Sequence, residues 1–207
     1  MPEVVHPKTS DAGRNPGAVA LSIAAMMRVF GNGEMAALRR LDDNPAVPAY
    51  WRLAARHPIL SERNTEERHR AWRAIVQALA ILTPKGLPGE RGDLHDPERK
   101  LGATLCDGGS RDWPGGLAPG TSPRPMISEQ RLAQLLAARG SQRSVLLLRA
   151  VRALAASRDA AVGVDVGDLA RRFIDPDPEK LAAPYYARLD RAERAAKADA
   201  TKRTPNA

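Results

Sequence analysis

The sequence predicts an all-α fold broken by one long Gly/Pro-rich segment. Three observations carry this. Apolar residues recur at helical spacing in one stretch after another, most clearly from Asn64 to Leu82. Helix starts are marked by Asn64, Ser128, Ser141 and Asp177, and a helix end by Gly31 to Gly33. Between Pro84 and Pro125 glycine and proline dominate both ends, which leaves room for one short helix only.

Met1 to Pro16 is polar and rich in breakers, and reads as a flexible lead. Ala18 to Phe30 is the first helix, with Leu21, Ala24, Ala25 and Arg28 on successive turns of one side. The rest of the chain is organised around Gly33 to Leu53, GEMAALRRLDDNPAVPAYWRL. Met35, Leu38 and Leu41 have helical spacing and face a core, so Arg39 and Arg40 are expected outside it. Asp42, Asp43, Asn44 and Pro45 break this helix, because Asp and Asn bond their own backbone and the residue before proline resists the α region. A second helix follows with Tyr50, Trp51 and Leu53, gathering several of the few aromatic groups at one corner of the core. Periodicity alone does not say whether the Arg-Arg face is merely solvated or touches phosphate.

From Asn64 to Leu82, Asn64 is expected to cap and Glu67 to complete a capping box, with Trp72, Ile75, Val76, Leu79 and Leu82 on the buried face. Glu66, Glu67, Arg68, Arg70 and Arg73 then form a mixed-sign outer surface suited to solubility. Pro97 to Cys106 is the short helix inside the Gly/Pro-rich region, and Asp107 to Pro125 is expected to be partly disordered with Trp113 as an anchor. Met126 to Ala156 reads as a helix pair. Ser128 caps the first member, Ile127 and Leu132 make a hydrophobic staple, and Leu132, Leu135 and Leu136 face inward. Arg139 and Gly140 turn the chain. Ser141 caps the second member, whose buried stripe is Leu147, Leu148, Val151, Leu154 and Ala155. Arg149 and Arg152 share another side, and with Arg131, Arg139 and Arg143 they make this the most arginine-dense folded segment.

Val166 to Phe173 is a further short helix preceded by Asp165. Asp177 caps the last helix and Pro178 suits its first turn, but Pro184 is expected to interrupt it, so that the regular part starts there with Tyr185, Leu189, Ala192 and Ala196 inward. Arg188, Arg191 and Arg194 alternate with Asp190 and Glu193, a pattern of local ion pairs on a solvated helix. Thr201 to Ala207 reads as a frayed tail.

Charge narrows the function. The 207 residues carry 32 Lys plus Arg against 24 Asp plus Glu, a net charge of +8, and most of the cations are arginine. Arginine pairs bidentately with phosphate and stacks on bases, so a polyanionic partner, nucleic acid or nucleoprotein, is favoured. The lone cysteine, Cys106, excludes an internal disulfide and fits a reducing compartment. No stretch approaches the roughly 18 apolar residues of a membrane span, and a soluble cytoplasmic protein is the expectation.

Catalytic signatures are weak. His6, His57, His69 and His95 are scattered, and Cys106 has no cysteine or histidine at metal-ligand spacing. Gly115 to Thr121, GGLAPGT, lacks the lysine of a phosphate-binding loop, and Gly108-Gly109-Ser110 lacks the nucleophile-elbow pattern. No catalytic residue, metal ligand or cofactor is expected. One alternative is a helix-turn-helix DNA reader built on the 128–156 helix pair, in which Gln142, Arg143 and Ser144 would read bases. Against it, Val145 to Leu148 is a solid apolar run.

Taken together and in order, GEMAALRRLDDNPAVPAYWRL (33–53), KLGATL (100–105), SEQRLAQLL (128–136), LLLRAVRAL (146–154) and VDVGDLARRF (164–173) resemble segments of the CasB family, the small subunit of the type I-E CRISPR surveillance complex called Cascade. Gly-Glu-x-Ala-x-Leu-Arg-Arg, an acidic break and Pro-Ala-Tyr-Trp-Arg-Leu are similar to its opening signature. KLGATL (100–105), SEQRLAQLL (128–136), LLLRAVRAL (146–154) and VDVGDLARRF (164–173) resemble its later segments, in the family's order. The 107–125 stretch is longer than is usual there, and Val166 stands where tryptophan is common. The resemblance implies a non-catalytic all-α subunit of two small helical bundles, here 18–106 and 127–199, joined by a Gly/Pro-rich 107–126 linker and flanked by a 1–17 lead and a 200–207 tail. It implies a head-to-tail pair with a second copy of itself, bound to other Cascade subunits, crRNA and target DNA including the displaced strand. Arg39 and Arg40 match the family's Arg-Arg pair, Arg131 the arginine of its Ser-Glu-x-Arg helix and Arg149 that of the next helix. With the neighbouring Arg139, Arg143 and Arg152 these are the candidate nucleic-acid contacts. Their expected role is to replace counterions on a strand backbone and so hold an R-loop open.

Overall fold

The computed structural model describes residues 15–41, 46–60, 65–115, 121–159 and 162–203. Among them the chain forms helices α1 (Pro16–Met27), α2 (Asn32–Arg39), α3 (Pro48–Arg56), α4 (Glu66–Leu82), α5 (Leu101–Asp107), α6 (Glu129–Ala137), α7 (Gly140–Ser157), α8 (Val166–Ile174) and α9 (Glu179–Arg203), with a 3-10 turn at Pro58–Leu60. An isolated parallel bridge joins His95 and Val164. The expected all-α class is what the chain adopts. The lead up to residue 14, the break at 42–45 and the end of the tail lie outside the described residues.

Helix α4 is the axis. Thr65 caps it, its side chain accepting from the Arg68 amide at 3.1 Å, one residue beyond the expected Asn64, which lies outside the described residues. Its first turns are polar, but from Ala71 onward nearly every residue is buried, including Ala74, Gln77, Ala78 and Ala80 as well as the expected Trp72, Ile75 and Leu79. A run of alanines between large apolar residues has no solvent face to offer, so it needs neighbours on several sides. These come from both halves of the chain: α4 packs on α1 and α2 and also on α7 and α8.

The same interleaving recurs elsewhere. Helix α1 turns Val19, Ala20, Ile23 and Met27 inward against α8, and α5 lies along α9. That last contact depends on Gly102, where a Cβ would overlap the Leu181 carbonyl oxygen. Buried residues from 19 to 189 thus form one contiguous hydrophobic cluster. The chain leaves α5 and returns beside it, with the Met126 amide donating to Cys106 O at 2.8 Å and Ile127 to Leu105 O at 3.1 Å. Trp113 is anchored as expected: Arg188 stacks 5.3 Å from its ring and donates to its carbonyl.

Two further expectations change. Arg188 turns inward rather than pairing with Asp190 or Glu193, because buried Asp107 accepts from it and from Arg99, each at 2.9 Å. Pro184 sits inside a continuous α9. It forfeits one hydrogen bond near the helix start, where Asp177 already holds the Glu179 amide and Leu181 is buried against α5, so the helix survives. Trp51, placed at a core corner by the pattern, is 46 % exposed, whereas Tyr50 is buried and donates to Leu60 O at 3.0 Å.

Candidate nucleic-acid interface

Helix α6 begins at Ser128, which accepts from the Arg131 amide, and turns Leu132 and Leu135 into the core. That leaves Arg131 and Gln134 exposed on the opposite side. Helix α7 buries Leu147, Ala150, Val151 and Leu154, which leaves Arg149 and Arg152 exposed. The two helices meet along a groove of about 310 Å³ in which Arg131 and Arg149 stand over an apolar floor of Ile127, Leu135, Leu146 and Ala150. No acidic side chain lines it. Two guanidiniums on a low-polarity floor, with Gln134 also in the lining, suit a phosphate backbone: the forks pair with oxygens and the floor accepts the apolar edge of a sugar or base.

The other candidates are placed differently. Arg152 is exposed one turn beyond Arg149, outside the groove lining, and Arg40 is exposed at the end of α2. Arg39 is half-buried, and its Nε donates to Ala80 O near the end of α4 at 2.9 Å. Burial and the neighbouring charge of Arg91 lower its pKa. Arg139 is exposed, but its Nη1 donates to Leu136, Ala137 and Ala138 carbonyls at 2.8, 3.1 and 3.0 Å and so closes α6. Arg143 is 3 % exposed; its Nε faces Arg172 O and its Nη1 faces Leu135 O, both at 3.4 Å. It is therefore not a surface contact for a strand. Burial, with the charges of Arg139 and Arg172, lowers its pKa against the opposing charge of Asp175.

The physical reason is shared. The last carbonyls of a helix have no intrahelical donor and carry the negative end of its dipole, and a guanidinium offers several N–H groups and a positive charge. Two arginines outside the candidate set do the same work. Arg91, 2 % exposed, donates to Met27, Arg28 and Phe30 carbonyls at the end of α1 at 3.0, 3.3 and 2.6 Å. Arg158 donates to Leu82 O at the end of α4. Nothing local in the sequence marks these two, since each reaches a helix end more than sixty residues away in the chain.

Burying Arg143 also weakens the helix-turn-helix alternative. The first turns of α7 pack against α4, and of the trio Gln142, Arg143 and Ser144 only Gln142 is exposed. Among the described residues no three His, Cys, Asp or Glu side chains converge as metal ligands, and no helix is long and apolar enough to cross a membrane.

A family model described as CRISPR-associated protein Cse2 matches residues 34–197, well over half of the chain. The chain belongs to that family, the CasB family of the resemblance. No curated protein and no solved structure matches it.

Proposed function

We propose that this member of the Cse2 family is the non-catalytic small subunit of a type I-E Cascade, and that it stabilises the R-loop by holding nucleic-acid backbone, chiefly the displaced strand. It works as one of a head-to-tail pair against the other Cascade subunits, near crRNA and target DNA. The observation that carries the nucleic-acid part is the carboxylate-free groove between α6 and α7 with Arg131 and Arg149 on its rim. Arg152 and Arg40 extend the exposed cationic surface, with Arg39 and Arg139 behind them as helix-end donors.

Backbone contacts of this kind release counterions, so the binding is sequence-tolerant and falls steeply with salt. Guide-target hybrid and DNA duplex are nearly balanced in stability, so a few such contacts decide how long the loop stays open. The test is a Cascade assembled with Arg40, Arg131, Arg149 and Arg152 changed to alanine. A shorter R-loop lifetime with a shallower salt dependence is expected. An unaltered lifetime and slope in a fully assembled complex overturns the reading.

A further inference from the structure

Helix α3 turns Pro48, Trp51, Arg52, Ala55 and Arg56 to solvent, the i, i+3, i+4, i+7 and i+8 positions, while Ala49, Tyr50, Leu53 and Ala54 go to the core. No acidic residue lies on this helix. The one large apolar group on its outer face is Trp51, and its indole is held rather than loose: it meets the Tyr50 ring edge-to-face, with the ring centres 5.7 Å apart and the planes at 78°. Tyr50 is itself fixed, by its hydroxyl on Leu60 O and by the Arg73 guanidinium 5.4 Å from its ring centre. Arg52 is steadied too, through Nη1 on Glu34 of α2, and a guanidinium keeps further N–H groups for a second acceptor. Arg56 is exposed one turn further along.

A π-face kept in water on the same helix face as two guanidiniums matches an unpaired base with its flanking phosphates: the ring stacks and the cations take the backbone. Two comparisons favour this over a protein partner. The apolar part of the face is a single ring beside Pro48 and Ala55, short of the roughly 800 Å² that each side of a stable protein interface buries. A second copy of this chain would bring its own net charge of +8 against an arginine face. Tyr186, the other exposed aromatic, lacks these qualities: its hydroxyl bonds Glu129, and a carboxylate there repels a phosphate.

We propose that the exposed face of α3 is a stacking platform for an unpaired base of single-stranded nucleic acid, with Trp51 against the base and Arg52 and Arg56 on the neighbouring phosphates. The platform uses no residue of the α6–α7 groove and does not rest on it. Every base has a π-face, so the platform is indifferent to sequence, whereas a duplex keeps its bases stacked on one another and offers none. The Pro-Ala-Tyr-Trp-Arg-Leu segment thus divides its two aromatic rings between two tasks, with buried Tyr50 as the support and exposed Trp51 as the contact.

The test uses the full chain and its own fluorescence. Of the three tryptophans, Trp72 is fully buried and Trp113 carries the Arg188 guanidinium over its ring, so Trp51 is the one open to a base. A short oligodeoxythymidylate is titrated at low salt, with binding followed by the anisotropy of a dye on the strand and stacking by tryptophan emission. Emission quenched in step with binding is expected, with no quenching by a duplex or by a strand of abasic residues of the same length. Trp51→Phe keeps an aromatic face; it is expected to bind within about threefold of the parent, with the emission of the other two tryptophans unmoved by the strand. Trp51→Leu keeps apolar bulk without the face, and is expected to bind about tenfold more weakly at unchanged helicity. Arg131→Ala/Arg149→Ala is expected to lower affinity yet keep full quenching at saturation, so that failure of the groove and failure of the platform are read separately. An oligouridylate that quenches equally makes the platform common to RNA and DNA, and one that does not assigns it to a DNA strand. A strand that does not bind or binds without quenching, quenching by the abasic strand, or a Trp51→Leu chain that binds as tightly as the parent overturns the proposal.

Discussion

The α6–α7 groove and the helix ends use the same side chain for opposite purposes. In the groove Arg131 and Arg149 bond no carbonyl or carboxylate with their side chains among the described residues. At the helix ends Arg91, Arg139 and Arg158 are held by carbonyl oxygens, and Arg39 is partly held. Arg139 lies between the two groove arginines in the sequence, so neither residue type nor local density separates the classes. What separates them is whether an unpaired helix C-terminus lies within reach. Arginine content therefore overstates the surface left for a polyanion, because part of the positive charge is consumed inside the fold.

That contrast is broken most severely by removing an internal partner. Asp107 has a fully buried side chain between Arg99 and Arg188. Asp107→Asn should cost about 3–5 kcal/mol, read by chemical denaturation, since it strands two cations that have little access to water. A loss below 1 kcal/mol would mean that solvent screens the pair. Arg91→Ala comes next: three carbonyls at the end of α1 lose their donor, for about 3 kcal/mol by the same measurement.

A smaller effect is expected at Asp165, which caps α8 and accepts from Lys100 at 2.5 Å. Burial pushes its carboxyl upward, but the Lys100 hydrogen bond, the Asp168 amide and the charges of Lys100 and Arg171 outweigh it and hold the pKa below its ordinary value. A depressed folded-state pKa means the contribution is complete above the unfolded value, about 3.9, and is lost as pH falls through the folded one. Asp165→Asn should therefore cost about 1 kcal/mol at neutral pH and flatten the stability profile below about pH 4. Smallest in stability, and sharpest for the comparison, is Arg131→Ala/Arg149→Ala. Its unfolding free energy should stay within about 0.5 kcal/mol of the parent. The salt slope for single-stranded DNA should meanwhile fall by about 1.4, at about 0.7 per lost phosphate contact. A destabilised variant with an unchanged slope would reverse the assignment of these two residues.

Most helices were legible because their signals are local: Ser128, Asp165 and Asp177 cap where their side chains suggest, and the stripes of α6 and α7 face inward as spaced. The buried stripe of α4 was half legible. Periodicity marks one face, whereas burial on several sides depends on which helices arrive from elsewhere in the chain. Pro184 misled because its cost is local and its compensation, the fit of α9 on α5, is not. For the site, exposure of Arg131 and Arg149 followed from helix phase. Burial of Arg143 did not, since its contacts at Leu135 and Arg172 come from two other helices.

Cys106 adds a practical consequence. It is the lone thiol, fully buried, and its pKa is pushed up to about 12 by burial and by Asp107 and Glu129 against the opposing charge of Arg188. The reactive thiolate is thus suppressed twice, by access and by ionisation. The native chain masks its own sulfur, and a cysteine introduced at Gln134 would take up a maleimide fluorophore selectively without any cysteine being removed. A dye at that position, on the rim of the α6–α7 groove, would report strand entry in an otherwise unmodified subunit.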